Sequence, residues 1–207
     1  MSKEFLSRIE KYYSNKVRQH GESPLGVDWN SLESQYLRFE QLSKVINEPE
    51  FSILDFGCGF GEYVNYLKMT LSFNKINYTG FDISDEMVKR ASQKFREEVN
   101  VNFLKIEPTQ HFDYVTASGI FNVKFEEVSN QVWKKYILET IGKMNNLSKK
   151  GFSFNCLTKY SDKEFMKDYL YYADPLEFFD YCKKNFSRNI ALLHDYGLYE
   201  FTIIIRK

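Results

Sequence analysis

Three alternate glycines follow a short apolar segment in the first third of the chain. The stretch Ile53–Tyr63 places Asp55 in the apolar segment and glycines at Gly57, Gly59 and Gly61. Glycine is needed where the backbone adopts positive φ or lies directly against a ligand. A helix that begins after such a turn offers free backbone N–H groups. The pattern predicts a strand, a tight turn and a helix that together bind a cofactor.

A second acidic residue stands where such a cofactor would need it. Asp82 ends the next apolar segment, about 20 residues after the glycines, and an acid at this distance can accept hydrogen bonds from both hydroxyls of a ribose. The glycines alone are also compatible with a plain connection between a strand and a helix. Asp82 and the continuing alternation of strands and helices favour a nucleoside-containing cofactor.

The position of the third glycine separates two classes of cofactor. Nicotinamide-dependent enzymes carry G-x-G-x-x-G/A, whereas here Gly61 comes one position early and Glu62 follows it. A dinucleotide also places a pyrophosphate on the loop, and the acid at Asp55 disfavours an anion there. A nicotinamide-dependent oxidoreductase is therefore an alternative hypothesis rather than the leading one.

The elements that position this loop alternate along the chain. Apolar patterning predicts strands at 52–56, 76–81, 101–106, 112–117 and 151–157, with helices between them, the longest of which is expected to include Phe125 and Val128. Such alternation implies parallel βαβ units covered on both faces. Two closing strands, at 189–193 and 200–205, are joined by so short a stretch that they must pair antiparallel.

We therefore expect an α/β fold, a Rossmann-like three-layer sandwich around a mainly parallel seven-stranded sheet with one antiparallel strand. Residues 1–207 are expected to form one domain, with a cofactor-binding core at 50–207 and a helical N-terminal extension at 1–49. The extension should contain a helix over 3–19 and a second helix that begins after Asn30, with Glu33 completing a capping box and Leu32 facing inward.

Composition excludes several other classes. Lys+Arg and Asp+Glu both total 28, so the basic excess typical of nucleic-acid binders is absent. The three cysteines, Cys58, Cys156 and Cys182, are far apart and form no CxxC pair, so we expect neither a metal nor a disulfide framework. We find no signal peptide and no run long enough to cross a bilayer. These features predict a cytoplasmic protein without a membrane or nucleic-acid partner.

The segment Asp55–Gly61 looks like motif I of the class I S-adenosylmethionine (SAM)-dependent methyltransferases. Asp82 matches the motif II acid, and Phe112–Val115 resembles the motif on strand four of that family. The closing hairpin matches the family's reversed strand, and the resemblance covers about 50–207. It implies an enzyme that binds SAM, releases S-adenosylhomocysteine (SAH) and needs no metal.

The resemblance also implies a role for each matching residue. The methionine part of SAM would be held by Asp55, Gly57, Gly59 and Gly61, the ribose by Asp82 and the adenine by Ile83 and Glu107, while Ser118 and Gly119 would line the methyl-transfer face. The loop at 109–111 is shorter than the family pattern, which weakens the assignment of Glu107.

The N-terminal extension resembles segments that cover the cofactor pocket in this superfamily. The side chains that could form such a lid are Tyr12, Tyr13, His20, Trp29, Gln35 and Arg38. The guanidinium of Arg38 suits the SAM carboxylate. The alternative is that Tyr12 and Tyr13 belong to the core and that Arg38 is a solvated surface charge.

Candidate catalytic residues follow from the rule that ligands of open α/β sheets bind at the carboxyl ends of the strands. That rule selects Asn122, Tyr160 and His194. His194 is the preferred general base, because an ordinary histidine has a pKa of about 6.5. A turn histidine and a core tyrosine are the alternatives for His194 and Tyr160. Asp174 is better explained as the N-cap of a helix that begins at Pro175.

These features together predict methyl transfer to a small-molecule acceptor, at a hydroxyl, carboxylate or phosphate-type oxygen. The sulfonium of SAM is a strong methyl donor, so the protein chiefly aligns the reactants. Only a hydroxyl acceptor would also need a base. Similar small bacterial enzymes modify biosynthetic intermediates or surface glycans. The alternative from another class is a SAM-binding regulatory or scaffold protein without catalysis.

Overall fold

The computed structural model describes residues 3–207, which form a seven-stranded sheet with helices on both faces. The strands are β1 (Phe51–Phe56), β2 (Ile76–Phe81), β3 (Val101–Leu104), β4 (Phe112–Ala117), β5 (Ser148–Leu157), β6 (Asn189–Leu193) and β7 (Glu200–Arg206). Their order is β3-β2-β1-β4-β5-β7-β6. The contacts from β3 to β5 are parallel, and β7 is antiparallel to both of its neighbours. The expected sheet is therefore confirmed, including its one reversed strand.

Within the described residues the α-helices are α1 (Lys3–His20), α2 (Leu32–Ser43), α3 (Glu62–Thr70), α4 (Asp85–Lys94), α5 (Asn130–Leu147) and α6 (Pro175–Asn185). Short 3₁₀ turns lie at Pro24–Val27, Phe73–Lys75 and Lys163–Phe165. No helix in this part of the chain has the length and apolar character that a bilayer crossing requires.

The two faces of the sheet are covered by different helices because side chains alternate along each strand. Leu54 and Val115 point to one face, where α1, α5 and α6 contribute buried residues such as Trp133. Ile53 and Tyr114 point to the other face, which is covered by α2 and α3. This arrangement is the expected three-layer sandwich.

Two predicted helix starts are wrong, and local capping explains both. The hydroxyl of Ser31, not Asn30, accepts the hydrogen bond that caps α2, from the backbone N–H of Ser34 at 3.1 Å. Leu32 then falls on the outer side of the helix and is 47% exposed. The helix α5 begins at Asn130 because Ser129 caps it, and Phe125 has a φ of 60° that no α-helix accommodates. Phe125 and Val128 therefore precede the helix.

The predicted cap of α6 is confirmed. The carboxylate of Asp174 accepts a hydrogen bond from the backbone N–H of Leu176 at 3.0 Å, and Pro175 occupies the first helical turn. Two strand ends differ from their predictions by one residue, at Phe51 and Arg206, and two differ by more. The strand β3 ends at Leu104 rather than at 106, and β5 begins at Ser148 rather than at 151.

Candidate active site

The glycine loop follows β1 and has a backbone that side chains would not tolerate. Gly57, Gly59 and Gly61 have φ values of 87°, 54° and 82°. The backbone N–H groups of Gly57 and Cys58 both donate to the carbonyl of Phe81, at 2.7 and 3.0 Å, so the loop is fixed to the end of β2. The glycines thus allow the sharp turn that brings the loop beside Asp82, the residue after Phe81.

Asp82 holds the loop from the neighbouring strand end. Its Oδ2 accepts a hydrogen bond from the N–H of Gly59 at 2.9 Å, and its Oδ1 accepts one from the N–H of Ser84 at 2.8 Å. Burial raises the pKa of Asp82, although these two N–H groups act in the opposite direction. The carboxylate has acceptor capacity left, because each oxygen carries two lone pairs.

Asp55 is a buried carboxylate on β1 with one neutral donor. The hydroxyl of Tyr78 donates to its Oδ2 at 2.7 Å. Burial raises the pKa of Asp55 to about 7, the Tyr78 hydrogen bond lowers it and the nearby Asp82 raises it further. A carboxyl group in this state gains from any cation placed beside it, because the cation favours its ionised form.

Asp55 and Asp82 both face a cavity of about 110 Å³, which we call the loop cavity. The residues expected to bind a cofactor that line it are Asp55, Gly57, Gly59, Asp82, Ile83 and Ser118. The buried Ser118 Oγ and Gln35 Oε1 have no hydrogen-bond partner within the described residues. Because buried polar atoms are normally paired, these atoms are available to a ligand.

The N-terminal extension forms the other side of the loop cavity. The predicted lid residues Tyr13, Trp29 and Gln35 line it. Tyr12 packs edge-on against Tyr13 with ring centroids 5.1 Å apart, and His20 lies in a neighbouring cavity. The extension therefore contributes wall residues.

Three residues that were expected at the cofactor do not line the loop cavity. Glu107 pairs with Lys143 at 2.7 Å and does not line the loop cavity. A Cβ on Gly61 would lie 2.9 Å from the rings of Phe95 and Phe103, so this glycine is needed for packing. Arg38 pairs with Glu200 instead.

Arg38 is buried and already paired, which corrects both interpretations of this residue. Its Nε and Nη2 donate to Glu200 Oε1 at 2.9 and 2.7 Å, and its Nη1 donates to the carbonyl of Ser34 at 2.8 Å. The guanidinium is therefore neither solvated nor free to bind a cofactor carboxylate. Sequence analysis missed Glu200 because the pairing joins residues 162 positions apart.

A larger cavity of about 610 Å³, which we call the outer cavity, adjoins the loop cavity. Tyr13, Val27, Trp29 and Gly119 line both cavities. The predicted residue Asn122 lines the outer cavity and is 7% exposed, and its Oδ1 has no hydrogen-bond partner in the described part of the chain. Asp28, which sequence analysis did not select, also lines it and has an unpartnered Oδ2.

The structure does not bring His194 and Tyr160 to either cavity. Tyr160 is 57% exposed, so it is not a core residue, and its ring centroid lies 6.1 Å from that of the exposed His194. For His194, the reason is the order of the strands in the sheet. β6, which ends just before His194, is the edge strand, separated from β5 by β7. The end of β6 is thus too far along the sheet edge to face the loop after β4.

Replacing Gly119 with alanine is expected to disturb the shared wall of the cavities. Gly119 has a φ of 73°, and a Cβ there would lie 2.4 Å from Cζ2 of Trp29. We expect Gly119→Ala to displace Trp29, shift its fluorescence emission and weaken SAH binding at least roughly tenfold, about 1.4 kcal/mol. Gly142→Ala is the matched control, because a Cβ there meets nothing within 4 Å. Unchanged emission and affinity in Gly119→Ala would contradict the close packing.

Comparison with known proteins identifies a family model and a related protein that match this chain. Residues 54–147 match the family model described as a methyltransferase domain. The putative methyltransferase Rv1506c of Mycobacterium tuberculosis is 47% identical over 166 residues, which is 79% of this chain and 98% of the relative.

Solved structures share the fold at low identity. Magnesium protoporphyrin IX methyltransferase from Synechocystis PCC 6803, solved with bound SAM, is 16% identical with a TM-score of 0.64, and the match covers 98% of this chain and 97% of that one. The N-methyltransferase NodS from Bradyrhizobium japonicum, solved with SAH, is 10% identical with a TM-score of 0.62, and covers 96% and 97%.

Proposed function

Because the chain belongs to the class I SAM-dependent methyltransferases, we propose that it transfers the methyl group of SAM to an oxygen atom of a small-molecule acceptor. This proposal rests on the arrangement of the two cavities. The loop cavity, which contains the family's cofactor residues, shares a wall with a larger cavity at Gly119 and Trp29. A methyl donor in the first cavity and an acceptor in the second would therefore meet at that wall.

The residues of the loop cavity fit SAM. Asp55 is a buried carboxyl group that has no cationic partner among residues 3–207, and it suits the ammonium group of the methionine part. Asp82 has acceptor capacity left for the ribose hydroxyls, and Ile83 offers an apolar surface to the adenine. When bound, SAM supplies an activated methyl group on a sulfonium. The chain's own residues bind and orient it, and the N-terminal extension limits access of water.

The outer cavity favours a neutral or anionic acceptor. Its wall contains the cationic side chains of Lys16, Arg38 and Lys167, against the carboxylates of Asp28 and Glu200. Lys16 pairs with Asp28 at 2.7 Å, and Arg38 pairs with Glu200. Lys167 has no carboxylate partner among the described residues and repels a protonated amine, so we favour an acceptor that is attacked through oxygen.

Two unpartnered oxygens in this cavity suit a hydroxyl group. Asn122 Oδ1 and Asp28 Oδ2 are buried, and each can accept a hydrogen bond from the acceptor. Asp28 is the carboxylate to which a hydroxyl acceptor would lose its proton, whereas a carboxylate or phosphate oxygen would need no base. We propose that the acceptor is a hydroxylated intermediate of a bacterial biosynthetic or surface-glycan pathway, which agrees with the family resemblance.

Calorimetric titration with SAH and with NAD(H) tests the cofactor assignment. We expect SAH to bind and NAD(H) not to bind. A screen with isotope-labelled SAM against nucleotide-activated sugars, hydroxy acids, phosphorylated metabolites and amines then tests the acceptor. Methyl transfer to amines alone would overturn the oxygen assignment. SAH binding without turnover on any acceptor would favour the regulatory alternative.

Replacing Asn122 with alanine is expected to impair use of the acceptor without affecting the cofactor. Loss of one hydrogen bond to a buried acceptor oxygen costs about 1–3 kcal/mol, so kcat/KM for the acceptor should fall roughly 10- to 100-fold. The SAH dissociation constant should stay within about twofold of wild type. His194→Ala is the control, and we expect it to be as active as wild type. A large loss in His194→Ala with an active Asn122→Ala would restore His194 as the base.

A further inference from the structure

A buried ion pair in the wall of the outer cavity lies next to Trp29, which lines both cavities. Arg38 comes from α2 and Glu200 from the first position of β7, and their side chains are only 10% and 0% exposed. Burying both charges removes them from water, and that cost offsets much of their mutual attraction. Stability alone is therefore a weak explanation for this pair.

Asn155 extends the pair to the loop after β4. Its Nδ2 donates to Glu200 Oε2 at 2.6 Å, and its Oδ1 accepts a hydrogen bond from the backbone N–H of Gly119 at 2.7 Å. An ionised carboxylate can only accept hydrogen bonds, so Glu200 forces the amide nitrogen of Asn155 toward itself. The amide oxygen then faces Gly119 and fixes the position of its backbone.

Trp29 closes the chain of contacts into a ring. The guanidinium carbon of Arg38 lies 3.9 Å from the centroid of the Trp29 ring, within the range of a cation–π contact. The indole also packs against Gly119, so closely that a Cβ there would be 2.4 Å from its Cζ2. Each member of the ring, Gly119, Asn155, Glu200, Arg38 and Trp29, thus contacts the next, and the last contacts the first.

We propose that Arg38, Glu200 and Asn155 are positioning residues, which hold Trp29 and the Gly119 backbone at the junction of the two cavities. This inference rests on the proposed function, because that junction is where donor and acceptor meet. A displacement of the junction by even about 1 Å would impair transfer strongly, since aligned reactants account for much of the rate. The ring also explains why an arginine of the N-terminal extension is buried rather than bound to a ligand.

Glu200→Gln is the most informative variant because it conserves shape while breaking the donor–acceptor pattern. If the glutamine oxygen faces Arg38, its NH₂ group meets the NH₂ group of Asn155. A flip of Asn155 would relieve that conflict only by turning its NH₂ group toward the N–H of Gly119. If instead the NH₂ group of the glutamine faces Arg38, it meets the N–H groups of the guanidinium. Every arrangement therefore leaves two donors facing each other, at Asn155, at Gly119 or at Arg38.

The test uses the full chain labelled with 5-fluorotryptophan and fluorine NMR, without ligand. The chain has two tryptophans, Trp29 and Trp133. Trp29→Phe assigns their signals, and the buried Trp133 reports on the fold. We expect Glu200→Gln and Arg38→Lys to shift or split the Trp29 signal by more than its linewidth, with the Trp133 signal unchanged. Glu48→Gln, which breaks the exposed pair with Lys150, is the control and should shift neither signal.

A purely structural role makes a different prediction. It lowers the midpoint of thermal unfolding but leaves the Trp29 signal in place in the folded protein, and that result in both variants would overturn the proposal. If Glu200→Gln does not fold, Arg38→Lys decides alone, since lysine keeps the charge but lacks the planar guanidinium that donates to Glu200 through both Nε and Nη2. SAH titration of the wild type is scored separately, so failure of the cofactor assignment is distinguishable from failure of the ring.

Discussion

Replacing Asp82 with alanine is expected to weaken SAH binding about 100-fold or more. The substitution removes the carboxylate that we propose binds the ribose, and hydrogen bonds to a charged group contribute about 1.5–3 kcal/mol each. Two such bonds correspond to a factor of roughly 10² to 10⁴ in the dissociation constant. It also removes the acceptor for the N–H groups of Gly59 and Ser84, so the glycine loop loses its support from β2. Isothermal titration calorimetry with SAH measures the effect.

Asp85→Ala is the matched control for this prediction. Asp85 begins α4 only three residues further along and pairs with Lys105, but its side chain is exposed and does not line the loop cavity. We expect its SAH affinity to stay close to wild type. An affinity in Asp82→Ala within about threefold of wild type, less than 1 kcal/mol, would refute the ribose assignment.

Asp55→Asn is expected to make the ligand-free protein more stable at pH 8 while it weakens SAH binding. Burial raises the pKa of Asp55 from an ordinary 3.8 to about 7. Between these two values the folded protein holds a proton that the unfolded chain has released, so the free energy of unfolding falls as the pH rises from about 4 through about 7. Asparagine removes this penalty, which is on the order of 4 kcal/mol at most, and its amide oxygen can still accept the Tyr78 hydrogen bond.

The same titration gives SAH binding a pH dependence. Ionised Asp55 attracts the ammonium group of SAH, so the affinity of the wild-type protein for SAH should rise between pH 6 and pH 8. Below the pKa of Asp55 the rise should be up to about tenfold per pH unit. In Asp55→Asn the affinity should be lower at pH 8 and nearly flat with pH. Urea unfolding and calorimetry at pH 5, 6, 7 and 8 test both effects. Equal pH slopes in the two proteins would contradict the raised pKa.

Asp113→Asn is a control whose effect on the free energy of unfolding should have the opposite sign. Burial acts to raise the pKa of Asp113, but the N–H and hydroxyl of Ser52, together with Lys150, outweigh it and lower the pKa. Its contribution to stability is therefore present at neutral pH and is lost as the pH falls through the lowered pKa. Asp113→Asn should reduce stability at pH 7 and not at pH 2, the reverse of Asp55→Asn.

Local sequence patterns specify the elements around the cofactor-binding loop. The strands Ile76–Phe81 and Phe112–Ala117 lie where apolar patterning predicts them, and the glycine loop and Asp82 meet in space. These features are local. Strand periodicity, positive φ at glycine and helix capping depend on neighbours within a few residues, so a single sequence contains the information that specifies them.

The cavity that we propose for the acceptor depends on tertiary contacts. The tertiary structure placed His194 beyond β7 at the sheet edge, and it brought Asp28 and Asn122 into one cavity. It also buried Arg38 against Glu200, 162 positions away. Such contacts depend on strand order and on how the N-terminal extension packs across the sheet. No local pattern specifies either, because a buried polar side chain takes its partner from whichever element the fold places beside it.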